Sequence, residues 1–174
     1  MTALPGPVAC VTALSFSGQA TRRFCFEAFL PKDKKERAYV LEELKLETRT
    51  IILYEAPHHL KKTLEELLDA IGDRDISICR ELTKRFEEVK RQKISDAIAY
   101  YENQDPRGEY VLVIEGKNRE EMMENRQKEW MEMPLEEHME YYLSKGVDKK
   151  EAMKIVAKDR GLTKREIYKA LLEE

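Results

Sequence analysis

Cysteine is scarce in this chain and what there is stands apart: Cys10, Cys25 and Cys79 form no C-x-x-C pair. Neither a zinc site nor a disulfide framework is therefore indicated, and the three read as reduced core thiols of a cytoplasmic protein. No apolar run approaches the length that crosses a membrane, and the first residues lack a secretory-signal pattern. Charge of one sign is also missing. Lys+Arg number 31 against 34 Asp+Glu, for a formal net charge of −3, so no global basicity points to nucleic acid. There is room for a local basic patch. The chain contains no P-loop, no G-x-G-x-x-G and no H-E-x-x-H, which leaves those nucleotide and metal chemistries without support. Of three histidines, His58 and His59 are adjacent, point in different directions and have no obvious third ligand, so no metal is expected. His138 reads as a helix-surface residue.

What is present centres on Leu53-Tyr54-Glu55-Ala56-Pro57-His58-His59. Before it, Ile51, Ile52 and Leu53 form a continuous apolar run, the mark of a short buried strand over 49–54. After it, Leu60, Leu64, Leu67, Leu68 and Ile71 recur at helical spacing and Gly72 supplies a stop. Pro57 suits the first turn of that helix, where its missing N–H costs nothing. A carboxylate and two imidazoles are thus placed at a strand-to-helix turn. In open α/β sheets that is the border where ligands bind.

The rest of residues 1–116 alternates helix and strand. Ala9 to Phe16 predicts a short helix, apolar almost all round and hence buried on several sides. Its position so close to the N-terminus, with no strand before it, suggests that something belongs upstream. Phe24 to Phe29 reads as extended, and Leu30-Pro31 ends it. Asp33 with Glu36 predicts a capping box opening a helix through Leu46. Lys32, Lys34, Lys35 and Arg37, with Arg22 and Arg23 before them, are candidates for phosphate contact or else a solvated helix start. Asp75 to Arg80 predicts a buried strand, Phe86 to Arg91 a more exposed one, Ile94 to Tyr101 a helix and Tyr110 to Ile114 a last strong strand. Direct strand-to-strand succession through Glu81 to Val89 implies an antiparallel pair. The fold class is α/β, a mixed and mostly buried sheet flanked by helices.

From Lys117 onwards strand signals vanish. Leu135, Met139, Tyr142 and Leu143 form one apolar stripe behind Pro134; Ala152, Ile155 and Val156 form a second behind Asp148 and Glu151. Arg160-Gly161-Leu162 turns the chain, and Thr163 with Glu166 predicts a capping box opening a third helix through Ile167, Tyr168, Leu171 and Leu172. Residues 117–174 therefore predict a small helical tail of helix-turn-helix character, with Lys164, Arg165 and Lys169 on its last helix, either a nucleic-acid reader or a packing module.

Glu55 and Glu81 each end a strand. If those strands are neighbours, both acids and His58 face one edge of the sheet as a polar site. The alternative is helix capping and a surface ion pair with Arg80 or Lys84.

Six motifs occur in an order that carries a family resemblance. They are Pro5-Gly6-Pro7-Val8-Ala9 with Thr12-Ala13-Leu14 and Ser17-Gly18, Phe24-x-Phe26-Glu27-Ala28-Phe29-Leu30-Pro31, Tyr54-Glu55-Ala56-Pro57-His58, Arg80-Glu81-Leu82-Thr83-Lys84, Glu87-Glu88, and Gly108-Glu109-Tyr110 through Gly116. Together they resemble the ribosomal RNA small subunit methyltransferase I family, cytidine 2′-O-methyltransferases of 16S rRNA with the tetrapyrrole methylase fold. The resemblance implies S-adenosylmethionine as cofactor, 16S rRNA or the small ribosomal subunit as partner, a homodimer, a cytoplasmic location and no membrane. It also implies that these residues are the second domain plus tail, with the N-terminal domain absent. By the same resemblance, backbone at Val8 and Ala9, at Tyr54, Glu55 and Ala56, and at Gly108, Glu109 and Tyr110 contacts the cofactor. Glu55, His58, Glu81 and Lys84 would then receive the ribose, and Arg22, Lys32, Lys34, Lys35 and Arg37 the RNA phosphates. Val8 stands where a small hydroxyl residue is usual, and His59 where arginine is usual. Competing readings are a tetrapyrrole methyltransferase of the same fold and a non-catalytic RNA-binding or dimerisation module.

Overall fold

The apolar run Ile51-Ile52-Leu53 lies inside the second strand of a five-stranded sheet, with all three side chains fully buried. Each such side chain withdrawn from water contributes about 1.5–3 kcal/mol. The computed structural model describes residues 6–171, so Pro5 of the first motif and Leu172 of the last apolar stripe lie outside the described residues. The chain divides into two compact units, with the boundary between Lys117 and Asn118.

In the first unit the order is α1 (Ala9–Ser17), β1 (Phe24–Ala28), α2 (Lys34–Lys45), β2 (Thr50–Glu55), α3 (Leu60–Ile71), β3 (Asp75–Arg80), β4 (Glu88–Lys93), α4 (Ile94–Glu102) and β5 (Tyr110–Ile114). The strands lie in the order β1-β2-β5-β3-β4. β1 runs parallel to β2, and every other pairing is antiparallel, so the sheet is mixed. Alternation along the strands sorts the two faces. Ile51, Leu53, Ile76, Ile78, Leu112 and Ile114 pack with Leu60, Leu64 and Leu67 of α3 and with Ile94 and Ala97 of α4. Ile52, Cys79, Val111 and Val113 pack instead with Cys10, Ala13 and Leu14 of α1. All three cysteines are free and buried, and burial pushes the Cys25 and Cys79 thiols up to about 11, which makes them inert.

Three sequence expectations shift here. The α1 helix is buried along one side only, through Cys10, Ala13, Leu14 and Ser17, while Val11 and Phe16 stay about half exposed. Pro57 does not open α3. His59 N–H donates to the Ala56 carbonyl and Leu60 N–H to that of Pro57, forming a tight turn before the helix begins at Leu60. The exposed strand also starts two residues late, at Glu88, because Lys84 to Glu87 form turns.

The second unit holds α5 (Arg119–Glu132), α6 (Leu135–Leu143), α7 (Lys149–Asp159) and α8 (Lys164–Ala170). No side chain of α5 is fully buried, so it left no apolar stripe by which the sequence could announce it. Asp148 caps α7 through the N–H groups of Lys150 and Glu151, and the Thr163–Glu166 capping box of α8 is complete. Met139, Ala152, Met153, Val156, Ala157 and Ile167 form the core. Among the described residues no helix is long and apolar enough to cross a membrane.

His138 is not on the surface. It is fully buried, its ring stacked on Trp130 at 3.9 Å and 3°, and its Nδ1 accepts a hydrogen bond from Arg160 Nε at 3.1 Å. Burial first, then the Arg160 charge, hold its pKa below 6.5, and Asp159 offsets this only in part. The folded unit thus keeps His138 neutral, while the unfolded chain takes up the proton near pH 6.5. Stability from this group is complete above about pH 6.5 and is lost as pH falls from there through the folded value. Thermal melts followed by Trp130 fluorescence should show a midpoint that drops between pH 7.5 and 5.5. A flat midpoint would exclude this role for His138.

Candidate functional site

Glu55 ends β2, Arg80 ends β3, and Tyr110 begins β5 between them; Tyr110 pairs with Glu55 on one side and Arg80 on the other. β2 and β3 are therefore not neighbours, contrary to the condition set by the sequence. Their carboxyl ends still reach one border, because β5 runs antiparallel to both. The first turn of α1 comes to the same border: Cys10 N–H donates to Tyr54 Oη at 3.2 Å. Tyr54, whose hydroxyl pKa burial raises, also meets the rings of Phe26 and Phe29 at 4.9 and 5.8 Å. Val8, the N-cap of α1, makes no side-chain capping bond. The backbone of Val8 and Ala9, of Tyr54 to Ala56 and of Gly108 to Tyr110 thus belongs to one stretch of the sheet rim.

The side chains proposed for chemistry separate into two groups. Glu81 and Lys84 form a tight ionic cluster with Glu109. Glu81 Oε1 accepts from the Glu109 N–H at 2.9 Å and from Lys84 Nζ at 3.1 Å, and Lys84 also reaches Glu109 Oε2 at 2.8 Å. The Glu109 N–H and then Lys84 hold the Glu81 carboxyl low; Glu109 and then Glu81 raise Lys84. Gly108 makes this approach possible. Its φ is +86°, and a Cβ there would stand 2.6 Å from Glu81 Cγ. Glu81 and Thr83 are themselves left-handed, at φ 50° and 64°, a costly conformation for a β-branched threonine. Glu87 helps to hold it by accepting the Thr83 N–H at 2.6 Å.

Glu55 and His58 line a separate cavity of about 560 Å³ with Phe29, Leu30, Pro31, Lys32, Arg37, Ala56, His59, Lys62 and Thr63. Glu55 lies on the face of the sheet covered by α3 and α4 and is buried to 6% exposure. Its Oε1 accepts the Ala56 N–H at 2.8 Å and its Oε2 the Thr63 hydroxyl at 2.5 Å. His58 and His59 are exposed at the mouth, with ring centroids 4.1 Å apart.

The basic residues divide as well. Arg22, Lys32, Lys34 and Lys35 are exposed. Arg37 is engaged: Nε and Nη2 both lie 2.6 Å from Glu66 Oε2, and Nη2 donates to Thr63 Oγ1 at 2.8 Å. It braces the cavity and is not an open phosphate ligand. Sequence reasoning passed over Thr63 and Glu66. The available signal was a hydroxyl on the inward stripe of α3, between Leu60 and Leu64, since a buried hydroxyl needs a partner.

The chain is 47% identical over 167 residues to ribosomal RNA small subunit methyltransferase I of Bacillus subtilis (strain 168), covering 96% of this chain and 57% of that protein. It is 43% identical over 171 residues to the protein of the same name from Halalkalibacterium halodurans, covering 98% and 58%. The chain therefore spans little more than half the length of these relatives. Among solved structures, cobalt precorrin-4 methyltransferase, a cobalamin biosynthetic enzyme, aligns with a TM-score of 0.47 at 18% identity, over 63% of this chain and 50% of that one. The profile of the tetrapyrrole (corrin/porphyrin) methylases matches residues 1–98. With more than half of its residues matched by that profile, the chain belongs to the tetrapyrrole (corrin/porphyrin) methylase family.

Proposed function

We propose that this chain is the C-terminal portion of a cytoplasmic, S-adenosylmethionine-dependent methyltransferase acting on the ribose 2′-hydroxyl of a cytidine in 16S rRNA. The names of the two relatives support the RNA substrate. The observation that carries the reading is the convergence of the α1 N-terminus, the end of β2 and the start of β5 on one border, beside a cavity with a buried carboxylate. In this reading residues 1–117 form one wall of the cofactor cleft, and residues beyond the 174 supply the other. Residues 118–171 form a helical unit of their own. Val8 offers no side-chain cap to the first turn of α1, so its N–H groups other than that of Cys10, which donates to Tyr54 Oη, suit such a cofactor. Exposed Val8, Val11, Phe24 and Phe26 supply apolar surface for a homodimer or for that second wall.

S-adenosylmethionine would supply a methyl group already activated on its sulfonium. This chain's residues must then orient the ribose and accept its proton. These roles are assigned to Glu55 and His58, which line one cavity. Glu81 and Lys84, tied to each other and to Glu109, hold the Gly108–Tyr110 backbone in place. Lys32, Lys34, Lys35 and Arg22 remain exposed for RNA phosphates.

The test is transfer of labelled methyl from S-adenosylmethionine to unmodified small ribosomal subunits, by the longest gene product that contains this chain. Glu55→Ala and His58→Ala should each slow transfer by about tenfold or more. Unchanged transfer in both variants would remove this site assignment. Label on a porphyrin-type macrocycle and none on RNA would reassign the substrate.

A further inference from the structure

Glu55 is a buried carboxylate facing a cavity, and two of its roughly four acceptor positions are filled, by the Ala56 N–H and the Thr63 hydroxyl. The donors are arranged in sequence. Thr63 has one hydroxyl hydrogen. Arg37 Nη2 donates to the Thr63 oxygen at 2.8 Å, so that oxygen acts as acceptor on one side and its hydrogen is committed to Glu55 on the other. Arg37 is fixed in turn by Glu66, which meets both Nε and Nη2, and by the Pro31 carbonyl at 3.5 Å. A guanidinium has no acceptor and does not lose its proton. The relay therefore has a single polarity, from Arg37 through Thr63 to Glu55. It ties α2 and α3 to the end of β2.

We propose that Arg37 and Thr63 are positioning residues that act through Glu55, holding its carboxylate as a pure acceptor for a hydrogen-bond donor of the bound nucleotide. The inference rests on the nucleotide-binding reading of this cavity and adds two residues to it. With the relay intact, the remaining Glu55 lone pairs face the cavity and match a ribose hydroxyl or an exocyclic amine. Without the Thr63 hydroxyl, the carboxylate loses a short bond and is free to rotate towards Arg37. A purely structural brace would lower stability on the same deletion but leave ligand affinity alone.

The probe is cytidine 5′-monophosphate, titrated into the 174-residue chain and followed through the imidazole ¹³C–¹H signals of His58 and His59 at the cavity mouth. Glu55→Ala should weaken binding by about tenfold or more, as expected for a lost bond to a charged acceptor. Thr63→Val, nearly the same shape without the hydroxyl, should give a comparable loss, and Thr63→Ser should restore affinity to within about twofold. The double variant Glu55→Ala/Thr63→Val should bind no more weakly than Glu55→Ala alone, because the second residue works only through the first. Arg37→Lys, which cannot hold Glu66 and Thr63 together, should fall between native and Thr63→Val, and it serves where Thr63→Val does not fold. Native affinity in Thr63→Val alongside weak binding in Glu55→Ala overturns the positioning role. Native affinity in Glu55→Ala, or no shift with the unsubstituted chain, overturns the nucleotide reading itself.

Discussion

Replacing Arg160 by alanine should melt the helical unit while the sheet unit keeps its own transition. Arg160 is 8% exposed; its Nε donates to His138 Nδ1 at 3.1 Å and its Nη2 to the Met133 carbonyl at 2.5 Å. Its backbone carbonyl also accepts from Gln127 Nε2 at 3.0 Å. Alanine keeps that carbonyl but leaves the buried His138 Nδ1 and the partly buried Met133 oxygen without their donor. Such a change costs about 2–3 kcal/mol, and a domain of about 60 residues has little stability to lose. The chain's single tryptophan, Trp130, is stacked on His138 and so reports this unit alone. Its fluorescence should melt at a markedly lower temperature than the far-ultraviolet dichroism of the whole chain. An unchanged fluorescence midpoint would show that Arg160 is dispensable.

Gly116→Ala should be the most damaging single methyl in the sheet unit. A Cβ at Gly116 would lie 2.4 Å from the carbonyl carbon and oxygen of Thr48 and 2.5 Å from the Arg49 oxygen. These are backbone atoms, and the loop that carries them is pinned. Glu47 Oε1 accepts the Arg49 N–H at 2.7 Å, and its Oε2 meets Arg49 Nη2 at 2.5 Å. That arginine holds the Glu47 carboxyl at about 2. Arg74 donates to the Lys45 and Glu47 carbonyls, and Lys117 N–H to that of Glu47 at 2.7 Å. Overpacking against such a segment costs about 3 kcal/mol. Gly6→Ala is the control: its backbone is not left-handed and nothing lies within 4 Å of the added methyl, so it should cost under about 0.5 kcal/mol. Urea unfolding followed by circular dichroism separates the two, and equal midpoints would mean that the 45–49 loop yields.

Much of the fold was legible because its signals are local. The run Ile51 to Leu53, the stripe of α3 and the caps at Asp33, Asp148 and Thr163 need only neighbours in the chain, and each appears where those residues require, although at Asp33 only the N-cap half of the expected capping box forms. The starts of α3 and β4 shift through local turns, whereas His138 and α1 are misread because they depend on residues remote in sequence. His138 looked like a surface residue because Trp130 and Arg160, which enclose it, stand eight and 22 positions away. The α1 helix is apolar all round in sequence, but among the described residues its buried side chains pack on one side, against the sheet.

The candidate site divides in the same way. The sequence by itself determined the residue types at the rim, an acid and a histidine after a buried strand and a glycine before another, since the turn chemistry there is set by adjacent residues. Only the tertiary structure decided that β5 inserts between β2 and β3, sending Glu55 into a cavity with Thr63 and Arg37 and leaving Glu81 paired with Lys84 and Glu109. The bonds of Glu55 to Thr63 and of Glu81 to Glu109 join residues 8 and 28 positions apart, the strand pairing of Glu55 with Tyr110 joins residues 55 apart, and no local preference encodes which of several acids meets which base.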